Sequence, residues 1–266
     1  MQEPPPFKAP VISLNRLSKS YGKTQVLFDI NLDFYPGQVI GYIGPNGAGK
    51  STTVRILAGL DGEFSGEATI CGIDVRKDPL GVKQMIGYVP EMAELYDVLT
   101  PREFLTMIGR LHNLSDAVTL ERSLRMLRFF GLETNADDRM DTFSKGMRQK
   151  VLLISGLLHN PQVLFLDEPL SGLDANSVIM VKEIISRLAA QGKTVFYCSH
   201  MMDVVEKVSD RIILIDKGRV VADGTFNELK QQEGESLEQV FSKLTGKQDL
   251  DQMAGDFMES FRSDEQ

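Results

Sequence analysis

Nine consecutive residues, Gly44-Pro45-Asn46-Gly47-Ala48-Gly49-Lys50-Ser51-Thr52, constrain this chain more than any other stretch. They fit G-x-x-x-x-G-K-[ST], a loop that cradles phosphate. Gly44, Gly47 and Gly49 let backbone N–H groups turn inward around phosphate oxygens with no Cβ in the way. Lys50 can reach the outer phosphates, and the Ser51 hydroxyl can ligate Mg²⁺. The flanks suit the motif. Gln38 to Ile43 reads as a buried strand, and Thr53 to Leu60 as a helix whose positive end faces the anion.

The chain has 266 residues, enough for one large domain or two small ones. Its net charge is −8, which argues against nucleic acid or anionic lipid as the main partner. Two cysteines, Cys71 and Cys198, make no disulfide framework and read as small buried hydrophobes in a reducing compartment. The most apolar region, Val151 to Leu166, is too short and mixed to span a bilayer. The Pro-rich start, residues 1–10, has no secretory pattern and reads as a disordered or extended lead-in.

Val11 to Ser20 and Gln25 to Phe34 read as antiparallel strands joined at Tyr21-Gly22-Lys23. Gly66 to Val75 and Ile86 to Pro90 add β segments. At Thr100 the character changes. Thr100-Pro101-Arg102-Glu103 is a capping box with proline at the first helical position. A second helix is expected over Val118 to Phe130, with Leu120, Leu124, Leu127 and Phe130 on one face, and a third over Lys145 to Leu158. Residues of about 100–158 therefore form an all-helical insert. The β/α alternation then returns: strand Val163 to Leu166, helix Ser177 to Ala190, strand Lys193 to Cys198, helix Met201 to Val208, strand Arg211 to Ile215 and a hairpin at Lys217-Gly218. This predicts a mostly parallel sheet with helices on both faces. From Gly234 the tail carries one helical piece, Ser236 to Leu244. A second has Leu250, Met253, Phe257 and Phe261 at helical spacing. That second piece fits a helix packing back on the domain, a docking helix for a partner, or a disordered end.

Val163-Leu164-Phe165-Leu166-Asp167-Glu168 is a buried run closing on two carboxylates. The strand brings Asp167 beside the phosphate loop, where it can hold Mg²⁺. Glu168 is then placed to polarise a water for in-line attack on a γ-phosphate.

With these motifs in place, the chain from about Val11 to Thr225 resembles the ATP-binding subunit of an ABC transporter. The resemblance implies a P-loop NTPase core with an antiparallel β subdomain and the helical insert, in an α/β domain over residues 11–233. Residues 234–266 are a C-terminal helical extension. Gly44 to Thr52 corresponds to the Walker A loop, and Val163 to Asp167 to the Walker B strand. Glu168 is the implied catalytic base, with Lys50 and His200 as catalytic partners, and Tyr21 sits where the family's adenine-stacking aromatic lies. Ser171-Gly172-Leu173-Asp174 resembles the loop that crosses between two such subunits. His112 and His159 match no motif and read as surface or helix-end residues. Phe143-Ser144-Lys145-Gly146-Met147-Arg148-Gln149-Lys150 resembles the family signature, usually Leu-Ser-Gly-Gly-Gln. Lys145 replaces a glycine and Met147 the glutamine, as in the export-type subfamily that pairs with ABC-2 membrane subunits. Glu91 stands where a glutamine usually contacts Mg²⁺ and links the core to the insert; export-type relatives often carry the carboxylate. Ser236 to Thr245 also resembles the C-terminus of those subunits.

The resemblance implies ATP and Mg²⁺ as ligands, with Ser51, Glu91 and Asp167 at the metal. It implies a head-to-tail dimer in which Ser144 and Gly146 complete the partner's nucleotide site, with Asp174 at the crossing loop. It further implies a separate multi-span permease subunit, a place on the cytoplasmic face of the membrane, and export of a substrate that the sequence does not name. Other ABC ATPases act as regulators or on ribosomes or DNA. Those on ribosomes carry two cassettes in one chain, those of DNA repair a long coiled coil between the Walker motifs, and this chain has neither.

Overall fold

The computed structural model describes residues 9–92, 95–230, 232 and 234–246. Most of the Pro-rich start and the second helical piece of the tail lie outside these residues. Two sheets organise the fold. The first is antiparallel, in the order β2-β1-β4-β5, from β1 (Ile12–Tyr21), β2 (Thr24–Phe34), β4 (Ser65–Ile70) and β5 (Ile73–Asp74). The second is six-stranded, in the order β10-β9-β3-β8-β7-β6. It comprises β3 (Val39–Ile43), β6 (Ile86–Val89), β7 (Val163–Asp167), β8 (Thr194–Cys198), β9 (Arg211–Asp216) and β10 (Arg219–Gly224). All its neighbours pair in parallel except the β9–β10 hairpin. Parallel strands buried on both faces need apolar side chains on both, which is why β3, β7 and β8 carry nearly unbroken apolar runs.

Alternation along these strands divides the core. Val39, Ile43, Leu164, Leu166, Val195 and Tyr197 face one cluster, shared with the helices. Ile40, Tyr42, Val163, Phe165, Phe196 and Cys198 face the other, shared with the antiparallel sheet. Cys198 is buried as expected, whereas Cys71 is only half-buried, in the turn between β4 and β5.

The helices are α1 (Lys50–Leu57), α2 (Pro79–Met85), α3 (Pro101–Leu111), α4 (Asp116–Phe129) and α5 (Lys145–Leu157). After β7 come α6 (Ala175–Ala190), α7 (Met202–Val208), α8 (Phe226–Leu229) and α9 (Leu237–Thr245). The first helix begins three residues earlier than its apolar pattern suggested, because Gly49 in the left-handed region caps it. Helix α2 shows no apolar period, since only Val82 of its seven residues is buried; its sequence signal is the Asp78 cap followed by Pro79 at the first helical position.

Between Pro101 and Leu157 the structure is helical, with two short 3₁₀ turns between α4 and α5. The Thr100–Glu103 capping box forms as expected, with both reciprocal bonds. The buried stripe of α4 differs from the expected leucine face. Thr119, Ser123 and Leu127 are buried, while Leu120 is exposed. The reason is close helix packing: a Cβ on Gly109 of α3 would overlap the Thr119 side chain, so small residues hold the seam. Helix α5 meets β6 in the same way, and a Cβ on Gly87 would overlap the Gly156 carbonyl. His112 and His159 do lie at helix ends, at the close of α3 and just beyond α5, but they are not ordinary surface residues. Their rings stack at 3.6 Å between centroids, both are half-buried, and His159 Nε2 bonds the Ile86 carbonyl at 2.7 Å. Burial and the neighbouring His112 lower His159 to a pKa of about 4, so the pair is neutral near pH 7.

Candidate active site

The carboxyl ends of β3, β6, β7 and β8 share one edge of the parallel sheet. The chain leaves β3 at Ile43, turns through the glycine-rich loop and enters α1 at Lys50. Gly47 (φ 79°) and Gly49 (φ 105°) occupy the left-handed region. A Cβ on Gly49 would lie 2.6 Å from the Leu27 side chain, and one on Gly44 would overlap the Ile215 carbonyl. The loop is thus seated between the two sheets at positions only glycine can fill. Lys50 Nζ donates to the carbonyls of Gly44 (2.7 Å) and Pro45 (3.2 Å), so the lysine lies across the loop's own cradle.

A cleft of about 520 Å³ opens over this edge. Its lining brings together Asn46, Gly47, Gly49, Lys50, Ser51 and Thr52 of the loop with Glu91, Asp167, Glu168 and His200. Gly44, Pro45 and Ala48 form the base of the same turn, where Ala48 N bonds the Pro45 carbonyl at 3.1 Å.

Asp167 is 5% exposed at the end of β7. Burial raises its pKa above the usual carboxylate range. The nearby Glu91 and Glu168 carboxylates push the same way, against a bond from the Ser51 hydroxyl and the charge of Lys50. Glu168 is held in a left-handed conformation (φ 47°) rare for a side-chain-bearing residue. Ser199 Oγ donates to its Oε2 at 2.9 Å, and His200 N donates to Oε1 at 2.8 Å. His200 Nδ1 approaches the same Oε1 at 2.7 Å. Ser199 was not singled out from the sequence. Its only signal is its place between Cys198 and His200.

Beyond Gly44, Pro45 and Ala48, four more expected site residues lie outside the cleft lining. Tyr21 is 48% exposed near the β1–β2 turn. Its hydroxyl bonds Asp61 at 3.0 Å, and Lys19 Nζ stands 4.6 Å from its ring centroid. Ser144 caps α5, accepting from Met147 N at 3.2 Å, and Gly146 lies in that helix's first turn. Asp174 caps α6, accepting from Ser177 N (2.9 Å), Ser177 Oγ (2.6 Å) and Lys150 Nζ (3.2 Å). Those bonds hold its carboxyl well below the ordinary range, the Ser177 hydroxyl contributing most.

This cleft suits a polyphosphate and a hard cation. The glycine positions leave the cradle open, Lys50 supplies a positive charge, and Ser51, Glu91 and Asp167 offer an all-oxygen donor set. The raised pKa of Asp167 beside two more carboxylates is the electrostatic imprint of a site that a cation would relieve.

The profile of the family described as ABC transporter matches residues 27–171. The chain belongs to the ABC transporter family. It is 36% identical over 219 residues to the linearmycin resistance ATP-binding protein LnrL of Bacillus subtilis (strain 168), a match spanning 82% of this chain and 70% of that protein. It is 32% identical over 262 residues to the Nod factor export ATP-binding protein I of Cupriavidus pinatubonensis, spanning 95% and 81%. A solved ATP-binding subunit of an ABC transporter superposes with a TM-score of 0.84 at 32% identity, covering 88% of this chain and 99% of that one. A dimeric post-hydrolysis ATP-binding cassette bound to ADP and Pi superposes with a TM-score of 0.74 at 26% identity, covering 80% and 98%. As an ABC cassette, this protein binds ATP with Mg²⁺ and hydrolyses it.

The electrostatics carry a pH consequence. A carboxyl with a raised folded-state pKa keeps its proton while the unfolded chain loses it, so stability falls as pH rises past about 4. At pH 7 in EDTA without nucleotide, Asp167→Asn should therefore melt higher than the wild type, each kcal/mol of relieved repulsion raising the melting temperature by about 2–4 °C. Thermal denaturation measures this; an equal or lower melting temperature would contradict the charge-crowding account.

Proposed function

We propose that this cassette is the ATP-hydrolysing subunit of an export-type transporter, acting on the cytoplasmic face of a membrane as a head-to-tail dimer beside a separate multi-span subunit. The observation that carries the reading is the cleft that gathers Lys50, Ser51, Glu91, Asp167, Glu168 and His200 at one sheet edge. The export direction is supported by the Ser144-Lys145-Gly146-Met147 signature and by the name of the Nod factor export relative.

Phosphoryl transfer needs positioning and charge neutralisation more than covalent chemistry. The loop receives the β- and γ-phosphates, and Lys50 exchanges its bonds to Gly44 and Pro45 for phosphate oxygens. Ser51 and Asp167, with Glu91 close by, would hold Mg²⁺, which would supply charge neutralisation at the transferring phosphoryl group. Glu168 takes up a proton from the attacking water. Its Oε1 and Oε2 are fixed by His200 and Ser199, so the carboxylate enters the reaction oriented. His200, with its side chain 75% exposed, is placed to meet the γ-phosphate. Tyr21 stacks on the base. Ser144 and Gly146, at the positive end of α5, complete the nucleotide site of the partner copy, and Asp174 keeps the crossing loop in shape.

The membrane subunit has a surface to grip. A hollow of about 240 Å³ lies where α1 and β6 meet the helical insert, with Leu60, Lys83, Tyr88 and Ile108 among its walls and the His112–His159 stack beside them. Leu60 is exposed there, and Met92, Tyr96 and Val98, on the segment after Glu91, are exposed too. Helix insertion at this seam would link the partner's movement to Glu91.

Glu168→Gln should lower turnover by about 10²- to 10⁴-fold while ATP binding survives, leaving an ATP-trapped dimer visible by size-exclusion chromatography. Near-normal hydrolysis by this variant would remove Glu168 from the role of base. Detergent extracts of membranes should yield this chain together with a multi-span protein, and Leu60→Glu or Tyr96→Glu should release it. Recovery with ribosomes or DNA instead would contradict the transport reading.

A further inference from the structure

The loop after Glu168 is stitched to the first turns of α5. Gln149 Nε2, on a side chain only 1% exposed, donates to the Pro169 carbonyl at 3.2 Å. Lys150 pairs with Asp174 at 3.2 Å. Gly146 packs so closely that a Cβ would lie 2.6 Å from the Gly172 carbonyl. The remaining link is Lys145. Its Nζ donates to Ser171 Oγ at 2.9 Å. Its aliphatic stem covers Gly172, where an added Cβ would meet Lys145 Cδ at 3.0 Å. Gly172 itself is in the left-handed region at φ 76°. Ser171 in turn donates its backbone N–H to the Glu168 carbonyl at 3.2 Å. A continuous path therefore runs from the α5 N-terminus through Lys145 and Ser171 to the residue that bears the base. A glycine at 145, the usual residue of the family signature, could make neither the stem contact nor the hydrogen bond.

We propose that Lys145 is a positioning residue, which holds the Ser171–Asp174 loop against α5 and thereby sets the backbone of Glu168. Its role in turnover rests on the proposed dimer. There the start of α5 completes the partner's site, so Lys145 ties the seating of one nucleotide to the geometry of the base in the other site. Lysine is suited to the position. The stem supplies apolar contact over Gly172 while the ammonium reaches a hydroxyl at the loop surface.

Two measurements test this, one of them independent of hydrolysis. In nucleotide-free protein, hydrogen exchange at residues 170–174 should be about three- to tenfold faster in Lys145→Met than in wild type, the weight of one exposed hydrogen bond. Lys145→Arg should stay near wild type. Unchanged exchange in Lys145→Met would overturn the proposal whether or not the protein hydrolyses ATP. In steady-state ATPase assays, Lys145→Met and Ser171→Ala should each lower kcat by about three- to tenfold, with little change in KM. The double variant should be no slower than the slower single one. Additive losses would show that Lys145 does not act through Ser171. A raised KM with unchanged kcat would make it a contact to the partner's nucleotide, and would equally overturn the positioning role. A wild type without ATPase activity would sink the proposed function, while the exchange comparison would still decide how the loop is held.

Discussion

No side chain can stand at Gly44 or Gly49, and much of the molecule follows from that. Gly44 lies against the Ile215 carbonyl at the end of β9, and Gly49 against Leu27 of β2. The loop is therefore wedged between the parallel and antiparallel sheets. Backbone bonds lock it from the far side, Gly218 N donating to the Ala48 carbonyl at 3.0 Å and Phe28 N to the Gly218 carbonyl at 2.9 Å. A cradle built this way is rigid before a ligand arrives, and preorganisation of this kind makes electrostatic stabilisation effective. The antiparallel sheet is thus more than an appendage: it supplies one wall of the seat.

The chemistry around that seat is a matter of charge. Asp167 has a raised pKa in the company of Glu91 and Glu168, and Lys50 is bonded to carbonyl oxygens of its own loop. The carboxylate crowding costs free energy in the nucleotide-free protein, and a magnesium-bound polyphosphate would relieve it while offering Lys50 phosphate oxygens in place of the loop carbonyls. Glu168 adds a left-handed backbone fixed by Ser199, His200 and Ser171. Polar groups that would be liabilities elsewhere converge here, on the edge where parallel strands end.

Much of this was legible in the sequence for physical reasons. Strands β3, β7 and β8 are buried on both faces, so they show as unbroken apolar runs. The loop and the Asp167–Glu168 pair are local patterns with fixed spacing. The Thr100–Glu103 box is a local hydrogen-bond exchange and formed as written. What stayed hidden depends on distant partners or on small residues. The α4 seam is built by Thr119 and Ser123 against Gly109, so the leucine pattern misassigned Leu120. Helix α2 buries one side chain and has no period to read. The stacking of His112 on His159, the Ser199 clamp on Glu168 and the reach of Lys145 to Ser171 join residues far apart in the chain. Tyr21 was placed by resemblance alone, and the ties of its ring to Lys19 and its hydroxyl to Asp61 came only with the structure.

The central claim is that each nucleotide site is completed by the α5 N-terminus of a second copy. Complementation between two inactive variants tests it most directly. A Lys50→Ala chain lacks a working loop, and a Ser144→Arg chain lacks a working signature. In a mixed dimer one site inherits both defects and the other inherits neither. Mixed in equal amounts, the two variants should recover about a quarter of wild-type ATPase activity, since half of randomly paired dimers carry one intact site of two. A mixture as inactive as its components, with mixed dimers shown to form, would mean that the signature does not act in trans.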